Sequence, residues 1–190
     1  MLYAMAHIVY EFYQPYITLL QLPLLEASTH APLISGLVIS ISMFGGALGA
    51  RASISWQSRL GLVGVLAAAS FIQLGLVAAM AIALSPAVLA LVSLRNFPMA
   101  LVHAPVRAAI APRITRQQRA TYLSLQGLAE RLFFALLLLG LAADLEPGAP
   151  INEPTLLGIL TSTLWIGLAS ALLLFAFSGR IRQVLRRSGA

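Results

Sequence analysis

The sequence predicts an all-α membrane protein with six transmembrane helices, and three observations carry that prediction. Residues are 59% hydrophobic and only 9% charged, with a mean hydropathy of +0.90, well beyond the roughly 45–50% apolar usage of soluble domains. Apolar stretches near the roughly 20 residues that cross the hydrocarbon recur at 1–22, 31–50, 60–84, 86–112, 120–143 and 155–178. Arginine collects in alternate connections between them. All 12 basic side chains are arginine, the formal net charge is +6 and the pI is near 10.8. Such a balance suggests nucleic acid only until the arginines are located. They lie between apolar spans, so the expected partner is the lipid bilayer and not a nucleic acid.

The connections fix the expected orientation. Arg51 and Arg59 follow the second span, Arg113, Arg116 and Arg119 follow the fourth with Arg107 just before them, and Arg180, Arg182, Arg186 and Arg187 close the chain. The other connections hold Glu26, Asp144, Glu146 and Glu153, with His30 as their one weakly basic group. Cytoplasmic loops accumulate arginine, so both termini are expected inside a multi-pass protein of the bacterial inner membrane. The first three helices (1–84) and the second three (86–178) then form two inverted repeats of one six-helix domain, with a basic cytoplasmic tail at 179–190. No cysteine is present, which removes disulfides and thiolate metal sites; no cofactor or metal is expected. Met1 to Leu22 lacks the basic start of a cleavable signal and carries Glu11 at its centre.

Taken in order, the first span has a polar side. At about 100° per residue, Tyr3, His7, Glu11, Gln14, Thr18 and Gln21 fall within an arc of about 80°, and Pro15 is expected to interrupt the helix just after the carboxylate. That stripe should face water or solute. The second span is uncharged, and Gly45 and Gly49 form a small-xxx-small pair that lets backbones approach closely. Spans three and six carry no Asp, Glu, Lys, Arg or His and are expected at the lipid-facing periphery. The fourth span, PAVLALVSLRNFPMALVHAPVRAAIAP, carries Arg95, Asn96 and His103 and is expected to be broken by Pro98 and Pro105. Placing an arginine near mid-bilayer costs about 2.5–3.5 kcal/mol, so it normally faces a partner, a bundle interior or water. This span is therefore expected to line a pathway. The fifth presents charge in two directions: Gln126 and Glu130 share one face by i, i+4 spacing, and Ser124 and Arg131 share another.

Spans one and four correspond in one further respect, because Glu11 precedes Pro15 by four residues and Arg95 precedes Pro98 by three. Proline-interrupted segments at matching positions of two repeats point to the binding site of a transporter. With YEFYQPY at 10–16, GALGARASISWQSRLG at 46–61, RATYLSLQGL at 119–128 and GLAAD at 140–144, the chain resembles the carboxy-terminal six-helix half of a major facilitator superfamily transporter. Ala50 stands near the acid that this family often carries after its second helix. The resemblance implies alternating access, with no enzymatic activity, and a second six-helix half as partner.

The expected function is thus transport of a small organic solute, coupled to protons, in an efflux-type permease half. A self-pairing half-transporter and a non-transporting assembly protein are the alternatives. An intramembrane enzyme would need a constellation this chain lacks, since it has neither a G-x-S-G nor an H-E-x-x-H motif and its histidines stand at 7, 30 and 103. The expected pathway residues are Tyr3, His7, Glu11, Gln14, Thr18, Arg95, Asn96, His103, Gln126, Glu130 and Arg131. Counting about 1.5 Å per residue places Glu11, Glu130, Arg95 and Arg131 at a similar depth of roughly 15 Å. Glu11 is the expected proton carrier, and Glu130 the expected fixed partner of Arg95.

Overall fold

The computed structural model describes residues 2–20, 31–143, 145 and 151–187, with no side-chain description for 31–35, 181, 182 and 184–187. Gln21, Glu26, His30, Asp144 and Glu146 lie outside it. Among the described residues the chain is all-helical: α1 (Leu2–Leu19), α2 (Ala31–Ile82), α3 (Pro86–Val92), α4 (Asn96–Ile110), a 3-10 turn at Ala111–Arg113, α5 (Arg119–Ala142) and α6 (Glu153–Arg187). Four helical segments are long and apolar enough to cross a membrane: 36–82, 86–113, 119–142 and 153–180.

The expected second and third spans form a single element, α2, with a kink. The segment 51–59, expected as a connection, is helical. From Arg51 to Leu60 no glycine or proline stops the helix, and Arg51 and Arg59 stay exposed on its surface. The break comes at Gly61, where φ is 68° and ψ is 174°, backbone that side chains with a Cβ adopt only with strain. The chain folds back sharply there, and a Cβ on Gly64 would lie only 2.7 Å from the Cβ of Leu60. Two arms result, 31–60 and 62–82, and both pack against the fourth span.

That span is itself split. Ser85 opens α3 in extended geometry (φ −148°, ψ 152°), its Oγ accepting from the Val88 N–H at 3.3 Å, with Pro86 at the helix start. The helix stops at Ser93, and the chain passes through i to i−3 bonds before α4 begins: Arg95 N–H donates to the Val92 carbonyl at 2.9 Å and Phe97 N–H to the Leu94 carbonyl at 2.9 Å. Pro98 is the cause. In a continuous helix its ring would meet the Leu94 carbonyl and its missing N–H would leave that carbonyl bare. As the third residue of α4, it occupies a position whose N–H has no intrahelical partner anyway. Pro15 and Pro105, by contrast, sit inside helices that run through them. The expected interruption of the first span at Pro15 does not occur, and neither does the expected break of the fourth at Pro105.

The glycines of the first arm seat it against the break. A Cβ on Gly45 would lie 3.2 Å from Leu94 Cδ2, one on Gly46 3.5 Å from Asn96 Cβ, and one on Gly49 would run into the carbonyl oxygen of Phe97. The small-xxx-small pair read from the sequence therefore does admit close backbone approach. Trp56, further along that arm, stands edge-on to Phe97 with ring centroids 6.4 Å apart.

The second arm is packed into the core, not at the periphery expected for span three. Val65 and Ala69 pack with Leu101 and Val102 of α4. Leu74, Val77 and Met80 join Met5, Ile8, Val9, Phe12 and Tyr16 of α1, Val92 of α3, and Leu156, Ile159, Leu160 and Ala171 of α6 in the larger core. Uncharged helices suit lipid or a core equally well, and composition does not separate the two. Gly167 lets α6 approach closely, since a Cβ there would lie 2.7 Å from Met5 Sδ and 2.9 Å from Leu74 Cδ2. Tyr16 ties α1 to the end of α2: its hydroxyl donates to the Ala83 carbonyl at 2.5 Å and accepts from the Ser85 N–H at 3.0 Å. α5 is the peripheral helix and has no fully buried residue. It leans on α1 through Phe134 against His7, centroids 5.5 Å apart. Asn152 Oδ1 accepts from the Thr155 N–H at 2.9 Å and caps α6.

Candidate functional site

The contacts of α1 set the relative depths of the charged residues. Tyr3 shares a cavity with His103 and Glu130, while Tyr10, two turns further on, underlies Arg95. The expected single layer of four charges is therefore two levels. Eight residues separate Arg95 from His103, about 12 Å at 1.5 Å per residue, and Glu130 belongs to the lower level with His103. Arg95 and Glu130 form no ion pair.

The lower level is a cavity of about 120 Å³ between the start of α1, the middle of α4 and the first half of α5, lined by Leu2, Tyr3, Met99, Val102, His103, Val106, Arg107, Gln126 and Glu130. A water needs only roughly 10–15 Å³ measured this way, so the space admits several waters or one small polar group. Gln126 Nε2 donates to Glu130 Oε1 at 2.9 Å, which uses one of the carboxylate's roughly four acceptor sites. His103 lies within electrostatic range of both Arg107 and Glu130. The wall on α4 thus presents an imidazole and a cation, and the wall on α5 an anion. Such a set can pass a proton between carboxylate and imidazole, or hold a solute carrying charge of either sign. A second hollow of about 100 Å³, lined also by Ile110, Ile114, Arg119, Tyr122 and Leu123, shares Arg107 and Gln126 with the first.

The structure therefore gathers Tyr3, His103, Gln126 and Glu130 into one site. His7 stands next to it, stacked on Tyr3 with ring centroids 3.9 Å apart and with Nδ1 2.9 Å from the Tyr3 carbonyl oxygen. Glu11, Gln14 and Thr18 are exposed on the outer side of α1, and Thr18 Oγ1 donates to the Gln14 carbonyl at 3.1 Å. These three are left uncovered among the described residues and do not converge on the cavity, whereas Tyr3, the first residue of the stripe, lines it. Arg131 is exposed on α5, and Asn96 is half-buried against Gly46.

Arg107 is the residue that sequence reasoning missed, because it was counted with the basic loop. Its position four residues after His103 was the available signal, since i, i+4 spacing puts both on one helix face.

The upper level is closed. Arg95 is 6% exposed, and its guanidinium carbon sits 4.8 Å from the centroid of the Tyr10 ring, a cation–π distance. Its Nη1 has no hydrogen-bond partner.

No protein-family model, curated protein or solved structure is similar to this chain. The functional reading rests on residues and geometry.

Proposed function

We propose that the chain is a six-helix transmembrane domain, with both termini in the cytoplasm of a bacterial inner-membrane protein, that moves a small organic solute by alternating access coupled to protons. This is the role of an efflux-type permease half of the kind the major facilitator superfamily contains. The observation that carries the reading is the lower cavity, whose lining brings together Glu130 and Gln126 of α5 with His103 and Arg107 of α4. A structural bundle gains nothing from such a group, because ionisable residues within membrane helices are costly to insert and face a bundle interior, a partner or water. The broken fourth span supports the same reading, since discontinuous helices bound the sites of many transporters.

Glu130 replaces Glu11 as the residue we assign to proton exchange. A carboxylate held near a cation in a low-dielectric site gives up that cation for a proton when the two separate, and Glu130 has His103 and Arg107 across the cavity while Glu11 is exposed. A second six-helix unit, either a preceding half or another copy, completes the pathway. Support for it comes from Glu11, Gln14 and Thr18 on α1 and Arg131 on α5, all exposed; charges at that depth call for a partner or water rather than lipid tails.

The test is solute-driven proton movement, followed with a trapped pH-sensitive dye in proteoliposomes that hold the assembled protein. Glu130→Gln should abolish the coupled flux while leaving the amount of folded protein unchanged, and Glu11→Gln should retain it. Loss in Glu11→Gln with normal flux in Glu130→Gln would return the proton role to the stripe on α1. Normal flux in both would remove proton coupling through either acid.

A further inference from the structure

The hollow of about 100 Å³ that shares Arg107 and Gln126 with the lower cavity lies at the edge of the membrane. One membrane-length apolar segment ends at residue 113 and the next begins at 119. The hollow is lined from both, by Arg107 and Ile110 of α4, Ile114 of the connection, and Arg119, Tyr122 and Leu123 of α5. Its lining divides by chemistry. Ile110 and Ile114 are half-buried and form an apolar seat with Leu123, whereas Arg107, Arg119 and Tyr122 are exposed beside that seat. Arginines near the end of a membrane helix lay their stems on apolar surface and reach the headgroup level with the guanidinium. Two cations thus stand where lipid phosphates lie.

No carboxylate lines this hollow. Arginine stands at 107, 113, 116 and 119, and no acidic residue occurs between 86 and 129. Arg107 has Glu130 across the lower cavity, but Arg119 belongs to the second hollow alone. Its Nη2 donates to the Ala111 carbonyl at 2.9 Å across the connection, which uses one of the five guanidinium N–H donors and holds the group beside the hollow. α5 opens here with no acidic residue in its first turn and no side-chain cap, so the positive end of its dipole adds to the same field.

Charge and apolar surface together select the ligand. An inorganic anion would match the arginines and leave Ile110, Ile114 and Leu123 in water, while a hydrocarbon chain would cover the seat and leave the arginines unmatched. A phospholipid does both, since guanidinium donors pair bidentately with phosphate oxygens and the acyl chains begin next to the phosphate. A headgroup ammonium would find no carboxylate to meet, which favours a lipid of net negative charge. We propose that this hollow seats one anionic phospholipid, with its phosphate on Arg107 and Arg119 and its apolar part over Ile110, Ile114 and Leu123. The site requires that α4 and α5 cross the bilayer, and neither transport nor a particular orientation.

The detergent-purified protein is titrated with dioleoylphosphatidylglycerol or with dioleoylphosphatidylcholine, which has the same chains, and the first bound lipid is quantified by native mass spectrometry. Phosphatidylglycerol should bind about tenfold or more tightly, and Arg119→Gln should remove that difference, as expected for losing charge-assisted hydrogen bonds to phosphate. Arg180→Gln removes an exposed arginine at the end of another apolar segment, outside this hollow, and should leave the preference intact. If Arg119→Gln does not fold, Leu123→Trp serves instead: at an exposed position it keeps every charge and fills the seat, and it should weaken phosphatidylglycerol binding to a similar degree. Equal binding of the two lipids, or a preference that survives Arg119→Gln or Leu123→Trp, would overturn the proposal. So would a loss in Arg180→Gln as large as in Arg119→Gln, the mark of a diffuse basic surface, or displacement of the lipid by inorganic phosphate at constant ionic strength, the mark of a free-phosphate site. Lipid binding with no coupled flux would overturn the transport reading and leave this site standing.

Discussion

Replacing Gly49 with alanine isolates one contact on which the architecture around the break depends. The added methyl carbon would sit 3.1 Å from both the Cα and the carbonyl carbon of Phe97 and closer still to its oxygen. These are backbone atoms of α4, so no side chain can rotate away, and relief requires the first arm of α2 to move off the fourth span. Overpacking of this kind costs about 1–3 kcal/mol, and we take the upper end because the obstacle is backbone. Alanine returns about 1 kcal/mol of helix propensity, leaving a net loss of about 2 kcal/mol. For a chain of this length that corresponds to a fall of about 4–8 °C in the unfolding midpoint. Gly75→Ala is the matched control: its Cβ meets nothing within 4 Å, so only the propensity gain remains and the midpoint should hold or rise. The assay is a thermal melt in detergent followed by circular dichroism. A Gly49→Ala protein that melts at or above the parent temperature would show that the first arm is not seated on Phe97.

Two further outcomes follow from contacts and from charge placement. Tyr16→Phe removes a hydroxyl that bonds both the Ala83 carbonyl and the Ser85 N–H; losing two part-buried hydrogen bonds should cost about 1–2 kcal/mol, read as a lower melting midpoint, and an unchanged midpoint would mean that water takes over both bonds. Single cysteines at Ser58 and Gln117, which are exposed, should be shielded from an impermeant thiol reagent in intact cells, while one at Ala149, outside the described residues, should react. Labelling at all three, or at Ser58 alone, would contradict the proposed orientation.

The sequence by itself determined the class of this protein and several of its local devices. Long apolar runs leave the backbone no stable option in lipid other than helix, so the helical nature of the chain and its membrane-length segments follow from composition alone. Gly45 and Gly49 were legible as a site of close approach because only the absence of a side chain permits one. Gln126 and Glu130 were legible as neighbours because four residues is one helical turn.

Tertiary structure decided the rest, for reasons that periodicity does not carry. An uncharged helix fits lipid and core alike, and only packing put the second arm of α2 at the centre and left α5 outside. Prolines at 15, 98 and 105 look equivalent along the chain, yet only the one facing the first arm's glycines coincides with a break. Depth counted along separate helices assumes a common starting plane. The contacts of Tyr3 and Tyr10 replaced that plane with two levels, placing Glu130 beside His103 and Arg107 and leaving Arg95 over the Tyr10 ring. Side chains from distant segments meet through the way helices pack, and no spacing within a single helix encodes that meeting.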